Sequence, residues 1–503
     1  MNPKNVTRFL IIGAGDAGRM AADEMLRHAE SGLVPVGFID DDSAKFGTMV
    51  AGLPVVGDRS RIHDAIQSLD ADEILIALPS ASGEAVRGII RWCESERVRF
   101  RVVPGIWEII RGDVRLQQIR PVRAEDLLGR ETVELDVDLV RGAYHGRRLL
   151  VTGAGGSIGS EICRQLLLAE PSELVLLGRG ENSIFEADQS FRDRAGVVVA
   201  APTGAPTSLA TRIETVIGDV RDTPLIERLF ERVKPHAVFH AAAHKHVWLM
   251  EQNPTEAVVN NVLATADLIE TALAHGVERL VLISTDKAVN PRAVMGATKR
   301  LAEVHLLQRA GTLATAGGAT RLMAVRFGNV LGSRGSVVPI FQRQIGRGGP
   351  VTVSHPEAAR FFMTIREAAL LVIEAGAIGQ GGEIFVLDMG EQVLISELAR
   401  DLIILSGLRP DVDVPIEFTG LKPGEKLREG LVHDFESLAA TDVAGIRVTS
   451  GLPPNQPLIG GDGLDTLRRL AGRGERDALL ECIEALVPEA RLTRHAQGGP
   501  LAH

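Results

Sequence analysis

The chain has 503 residues, roughly three times the usual single-domain size, so two or three domains are expected. A hydrophobic share of 45% excludes global disorder, and a formal net charge of -10 excludes a general attraction to nucleic acid. No apolar run approaches the ~18 residues of a membrane span, and Met-Asn-Pro-Lys-Asn opens no signal peptide, so a cytoplasmic protein without a membrane span is expected.

Two segments repeat one grammar of apolar strand, glycine-rich turn, helix and second strand. The first runs from Arg8 through Gly13, Gly15 and Gly18 to a strand closed by Asp40, which is the dinucleotide fingerprint in its proper context. This alternation completes a doubly wound α/β domain over residues 1–120, and 121–147 reads as a linker with a short helix. A second, larger Rossmann-type unit is expected over 148–450, with a mixed substrate-binding part after about 330. Ala195–Ala210, rich in Ala, Gly, Pro and Thr, reads as a flexible insertion. The tail 451–503 carries one amphipathic helix, about Asp465–Leu486.

The second turn, Thr152-Gly153-Ala-Gly-Gly156-Ser157-Ile158-Gly159, places glycines where backbone must approach a pyrophosphate at a helix N-terminus. Position 178, where an acid would hold a ribose 2′-hydroxyl, is Gly178 followed by Arg179. That pair favours NADP over NAD, unless Arg179 merely ends the strand in solvent. Asp219 and Val220 suit the adenine edge, and Ala241 and Ala242 let a ribose lie on the backbone. The 3 cysteines, Cys93, Cys163 and Cys482, lie far apart, and His244 and His246 lack a third partner, so no metal site is expected.

Five ordered motifs follow: Ser284-Thr285-Asp286-Lys287, Met295-Gly-Ala-Thr-Lys299, Asn329-Val-Leu-Gly-Ser333-Arg334, Arg360-Phe-Phe-Met-Thr364 and Lys422-Pro-Gly-Glu425-Lys426. Together with the glycine turn they resemble the UDP-N-acetylglucosamine 4,6-dehydratases of polysaccharide biosynthesis, a branch of the extended short-chain dehydrogenase/reductases. The resemblance covers about residues 6–430. It implies a lyase with a tightly bound, recycled nicotinamide cofactor, which removes water across C5 and C6 of a UDP-sugar. It assigns Asp286 as acid at C6, Lys287 as base at C5, Thr285 as partner of O4 and Lys299 as holder of the nicotinamide ribose. It also assigns Asn329 and Arg334 to the substrate diphosphate, His244 and Lys245 to the sugar, and Glu425 to the uridine side. A homo-oligomer is expected by the same analogy.

The chain has 1 tyrosine, Tyr144, and Met295 stands where most extended members carry the tyrosine base. A thioether takes no proton, but the membrane-associated branch of the family shares the methionine. Trp248 and Arg366 also depart from the family pattern near the sugar pocket. Protonated Asp beside neutral Lys lies roughly 9 kcal/mol uphill in water, so the expected chemistry needs a dry site. Three alternatives stay open: a structural Asp–Lys ion pair, a UDP-sugar 4-epimerase and a non-catalytic nucleotide-binding regulator. The first domain is read either as a second nucleotide site or as a scaffold that kept its turn for packing.

Overall fold

The run Phe9–Ile12 is apolar and buried at successive positions, as a strand covered on both faces requires. The computed structural model describes residues 6–78, 83–96, 98–103, 119–128, 133–198 (side chains to 191), 211–449, 451–453 and 455–492. Seven strands form the first sheet: β1 (Thr7–Ile12), β2 (Leu33–Ile39), β3 (Met49–Val50), β4 (Leu53–Gly57), β5 (Glu73–Ile76), β6 (Arg99–Val102) and β7 (Arg120–Pro121). Their order is β3-β4-β2-β1-β5-β6-β7, parallel except at the two edges. The helix Asp16–Arg27 covers one face with Ala17, Ala21, Ala22 and Met25.

The second sheet has nine strands. They are β8 (Arg148–Thr152), β9 (Glu173–Gly178), β10 (Arg212–Ile217), β11 (Ala237–His240), β12 (Arg279–Ile283), β13 (Arg321–Arg326), β14 (Glu383–Leu387), β15 (Ala439–Ala440) and β16 (Ile446–Thr449). The order is β10-β9-β8-β11-β12-β13-β14-β16-β15, antiparallel only at the last two pairings. Alternate residues feed opposite cores: Leu149, Val151, Phe239 and Val281 on one face, Leu150, Val238, Leu280 and Leu282 on the other. Strand order reverses between β8 and β11, which opens the ligand crevice of a doubly wound sheet at their carboxyl ends. Two Rossmann-type sheets are therefore present, as the two glycine turns led one to expect.

Several features differ from expectation or go beyond it. The chain forms two compact units that cut across the expected boundaries: 1–131 groups with 335–357 and 393–420, while 132–334, 358–392 and 421–503 form the other. Within the first unit, helix Ile395–Leu405 rests on helix Gly83–Trp92, where Arg91 pairs with Glu397 and Arg400 with Glu94 at 2.5 Å. The tail carries two helices, Asp462–Arg473 and Arg476–Leu486, because Gly474 turns left-handed (φ +67°) and breaks the run. The linker helix Val137–Tyr144 is docked, not loose: Tyr144 is fully buried and its hydroxyl donates to the Ile373 carbonyl at 3.1 Å.

The helical stretch Pro254–Ala274 is long and apolar enough to cross a membrane, where no apolar run was expected to be, but most of it is covered by the surrounding protein. It is made of Pro254–Val258, a π-turn Val259–Leu263, and Ala264–Ala274. The helix Glu181–Val198 takes in the first residues of the expected insertion; 199–210 lie outside the described residues.

Candidate active site

A cavity of about 310 Å³ opens at the switch point between β8 and β11. Gly153 adopts φ +67°, and a Cβ there would stand 2.7 Å from the backbone of Ala241 and Ala242. Gly159 is glycine for packing, since a Cβ would strike the Gly153 carbonyl. A Cβ on Gly156 would stand 3.1 Å from the Gly153 carbonyl, and helix Ser157–Leu166, which it precedes, has no side-chain cap on its amides. Thr152, Arg179, Asp219, Val220, Ala241, Ala242, His244 and Arg334 also line the cavity. Open backbone amides beside a glycine turn are a donor set for a pyrophosphate, so the residues present fit a dinucleotide.

A chain of ion pairs lines the other side of the cavity. Arg179 is exposed, its Nη1 3.9 Å from Asp219 Oδ2. Asp219 itself is clasped by Arg221 at 2.6 Å, which holds its carboxyl below the ordinary range despite partial burial. Arg221 continues to Glu256 at 2.9 Å, and Glu256 also meets His244 Nε2 at 3.0 Å.

Beneath the turn, parallel register sets Thr152 opposite His240. Thr152 Oγ1 and His240 Nδ1 are 2.7 Å apart, and His240 Nε2 is 2.9 Å from Thr265 Oγ1. Thr265 gives its own proton to the Asn261 carbonyl, so Nε2 carries the imidazole proton and Nδ1 accepts from Thr152. Burial, then the charge of Lys299, pushes His240 down to about 3, keeping the ring neutral. Lys299 is itself buried, with no hydrogen-bond partner among the described residues. Burial pulls its ammonium down to about 8 against the opposing effect of Glu303.

Past β12 the chain turns through the short 3₁₀ segment Asp286–Ala288, capped by Thr285. Asp286 has no exposed surface. Its Oδ1 accepts from Thr285 Oγ1 and Lys287 Nζ, both at 2.9 Å, while Oδ2 is buried with no hydrogen-bond partner. Lys287 Nζ also donates to Asn329 Oδ1 at 2.9 Å, and its side chain is 20% exposed. Lys245 stands near this pair, 3.5 Å from Ser333 Oγ. Protein surrounding it, and then the charge of Lys287, lower its ammonium.

The sequence profile of the polysaccharide biosynthesis protein family matches residues 149–450. The chain belongs to that family. A CoA-binding domain profile matches residues 3–104. The chain is 46% identical over 453 residues to a probable polysaccharide biosynthesis protein, EpsC, of Bacillus subtilis (strain 168), spanning 90% of this chain and 73% of that one. It is 46% identical over 430 residues to the capsular polysaccharide biosynthesis protein CapD of Staphylococcus aureus, spanning 85% and 69%. Among solved structures, Pen from Bacillus thuringiensis superposes with a TM-score of 0.53 at 33% identity, covering 61% of this chain and 90% of that one.

Within this polysaccharide biosynthesis protein, three residues expected to contact substrate have protein partners. Arg334 turns to the cofactor side, where its Nη1 donates to the Gly155 carbonyl at 3.3 Å and its Nη2 pairs with Glu186. Asn329 is engaged by Lys287, and Glu425 forms an ion pair with Arg360 at 3.1 Å. Met295 is buried in an apolar cluster with Val258, Leu301, Leu467 and Ile483. Tyr144 is committed to the opposite core, and burial pushes its phenol far above the ordinary value, so it serves no proton transfer here.

Sequence reasoning passed over Asn261, whose side chain holds both the amide and the carbonyl of His244 (2.8 and 3.0 Å) and reaches Thr298 at 3.2 Å. The Asn260-Asn261 pair inside an apolar helical run was the available signal, and it sits in the π-turn, a frequent mark of function. Gly328 was also missed. A Cβ there would stand 2.8 Å from Phe361 Cβ and 3.2 Å from Asp286 Oδ2. Gly328→Ala is therefore expected to displace the carboxyl and cut turnover by about 10²-fold, while dinucleotide content measured by mass stays unchanged.

In the first domain, Gly13 (φ +105°) and Gly18 are glycines for packing, and Gly15 faces open space. Asp40 Oδ2 accepts from Ala14 N at 2.7 Å and Lys45 Nζ at 2.9 Å. Any ribose hydroxyl would compete with those two donors.

Proposed function

We propose that the protein is a nucleotide-sugar 4,6-dehydratase acting on UDP-N-acetylglucosamine or a close UDP-N-acetylhexosamine, with a retained nicotinamide cofactor. The observation that carries this reading is Asp286, fully buried and hydrogen-bonded to both Thr285 and Lys287 at the carboxyl end of β12. An epimerase needs no acid–base pair for C5 and C6. When bound, the dinucleotide supplies hydride acceptance from C4 and hydride return to C6.

The chain's own residues do the rest. Thr285 Oγ1 would hold O4 together with a water that takes its proton, and Lys299 would hold the nicotinamide ribose, its buried ammonium adding positive potential beside O4. Once C4 is a ketone the C5 proton is acidic, and Lys287, the more exposed member of the pair, removes it. Asp286 then delivers a proton to the departing C6 hydroxyl, and turning about its Cα–Cβ bond brings Oδ2 out from beside Gly328. The ammonium of Lys245 supplies positive field for the diphosphate. Arg179 with no carboxylate at the end of β9, and Asp219 already engaged by Arg221, support NADP over NAD.

The test is mass spectrometry of protein incubated with UDP-N-acetylglucosamine in deuterated water, without added cofactor. A product lighter by one water and carrying deuterium at C5 is expected, together with NADP released on denaturation. A C4 epimer of unchanged mass would replace this reading with the epimerase. Binding without any conversion would favour the regulator.

A further inference from the structure

Arg334 follows the loop after β13, where a substrate contact was expected, yet every polar contact its side chain makes is on the cofactor side. Its guanidinium reaches the Gly155 carbonyl in the glycine turn at 3.3 Å and pairs with Glu186 on helix Glu181–Val198. Its backbone amide donates to Ser157 Oγ, at the first residue of helix Ser157–Leu166, at 3.2 Å. The side chain thus spans the cavity rim between the phosphate-facing turn and the helix beside Arg179. Two of its five donors are used in this span, and the rest stay free for phosphate oxygens. Arg334 and Glu186 are 61% and 63% exposed, so as an ion pair in water they add little to the fold.

We infer that Arg334 is a dinucleotide-retaining residue: its guanidinium, tethered by Glu186, closes over the phosphates of the cofactor and sets how long the cofactor stays bound. This deepens the proposed function and rests on its nicotinamide cofactor. It also gives a physical reason for retention through many turnovers, since the strap must open before the dinucleotide leaves. Ser157 and Gly155 hold the strap from the turn, and Glu186 holds it from the far helix.

The experiment compares wild type, Arg334→Ala, Arg334→Lys and Glu186→Gln as purified holoproteins. Dinucleotide release into excess competitor and UDP binding by calorimetry are read separately. Arg334→Ala is expected to release dinucleotide about 10- to 100-fold faster, with UDP affinity within about twofold of wild type and an unchanged melting temperature. Arg334→Lys and Glu186→Gln, which keep the positive charge but lose the fork or the tether, are expected to fall between. Unchanged release in Arg334→Ala overturns the inference, and lost UDP binding with normal release returns Arg334 to the substrate diphosphate. A wild type that neither carries nor binds any dinucleotide would instead sink the proposed function, and the inference with it.

Discussion

Asp286→Asn is expected to abolish formation of the 4-keto-6-deoxy product, lowering turnover by about 10²- to 10⁴-fold, while cofactor content is retained. The amide keeps the volume of the side chain and its oxygen can still accept from Thr285 and Lys287, which sit at 2.9 Å. What it loses is the ability to deliver a proton at C6. If Lys287 removes the C5 proton independently, substrate recovered from deuterated water should carry deuterium at C5 at otherwise full mass. Lys287→Met should yield substrate with no deuterium. Water loss at the wild-type rate by Asp286→Asn would remove Asp286 from the chemistry. A variant devoid of exchange as well as dehydration would mean that the two side chains act only as a unit.

Glu303→Leu is expected to be the most damaging single change to stability away from the reacting groups. The carboxylate is fully buried and accepts four hydrogen bonds: from Ser284 Oγ at 2.6 Å, from Arg326 Nε and Nη2 at 2.7 Å each, and from Arg300 Nη1 at 3.2 Å. Arg326 continues to Glu436 at 2.7 Å, and Arg300 to Glu489 at 2.7 Å and the Gly451 carbonyl at 2.7 Å. Removing the shared carboxylate strands two buried guanidiniums, a loss of about 3–5 kcal/mol. It also frees Ser284, the residue before Thr285, so activity should fall with stability.

Burial alone would raise the Glu303 carboxyl, but Arg326, Arg300 and Ser284 outweigh it and hold it at about 2 against an ordinary 4.5. The folded value lies below the unfolded one, so this stabilisation is fully present above about pH 4.5 and is lost as the pH falls toward 2. It amounts to about 3 kcal/mol. Denaturant unfolding of wild type and Glu303→Gln should therefore differ strongly near neutrality and converge in acid. A constant difference across that range would contradict the assignment.

What was legible in the sequence was local. The glycine turns, the strand they follow and the Thr285-Asp286-Lys287 triplet are short segments whose function depends on neighbours a few residues away. Met295 in place of tyrosine was equally plain, because one position in a helix decides it. What was not legible came from returns of distant chain. Arg334 lies 179 residues from Gly155, and nothing in its own segment says that its side chain turns to that carbonyl. Arg300 stands one turn before Glu303 on helix Val294–Ala316, but Arg326 comes from β13, a pairing that only the sheet brings about. The tail was misread as one helix because the amphipathic period carries across Gly474, whose left-handed turn depends on backbone freedom and not on periodicity.

The helix that bears Lys299 is capped by Glu251, which accepts the Val294 amide at 2.6 Å, and its apolar face is covered by Leu467, Leu479, Leu480 and Ile483. Its Arg300, already beside Glu303 on the same helix, gains a second carboxylate at Glu489. During synthesis this helix therefore leaves the ribosome long before the residues that cover it, and must wait through more than a hundred further residues with an oily flank exposed. The order of emergence makes Lys299 one of the last parts of the protein to reach its folded environment. A nascent chain arrested before residue 451 should be held by chaperones and be readily cut by protease within 294–316, and extending it to residue 492 should restore protection.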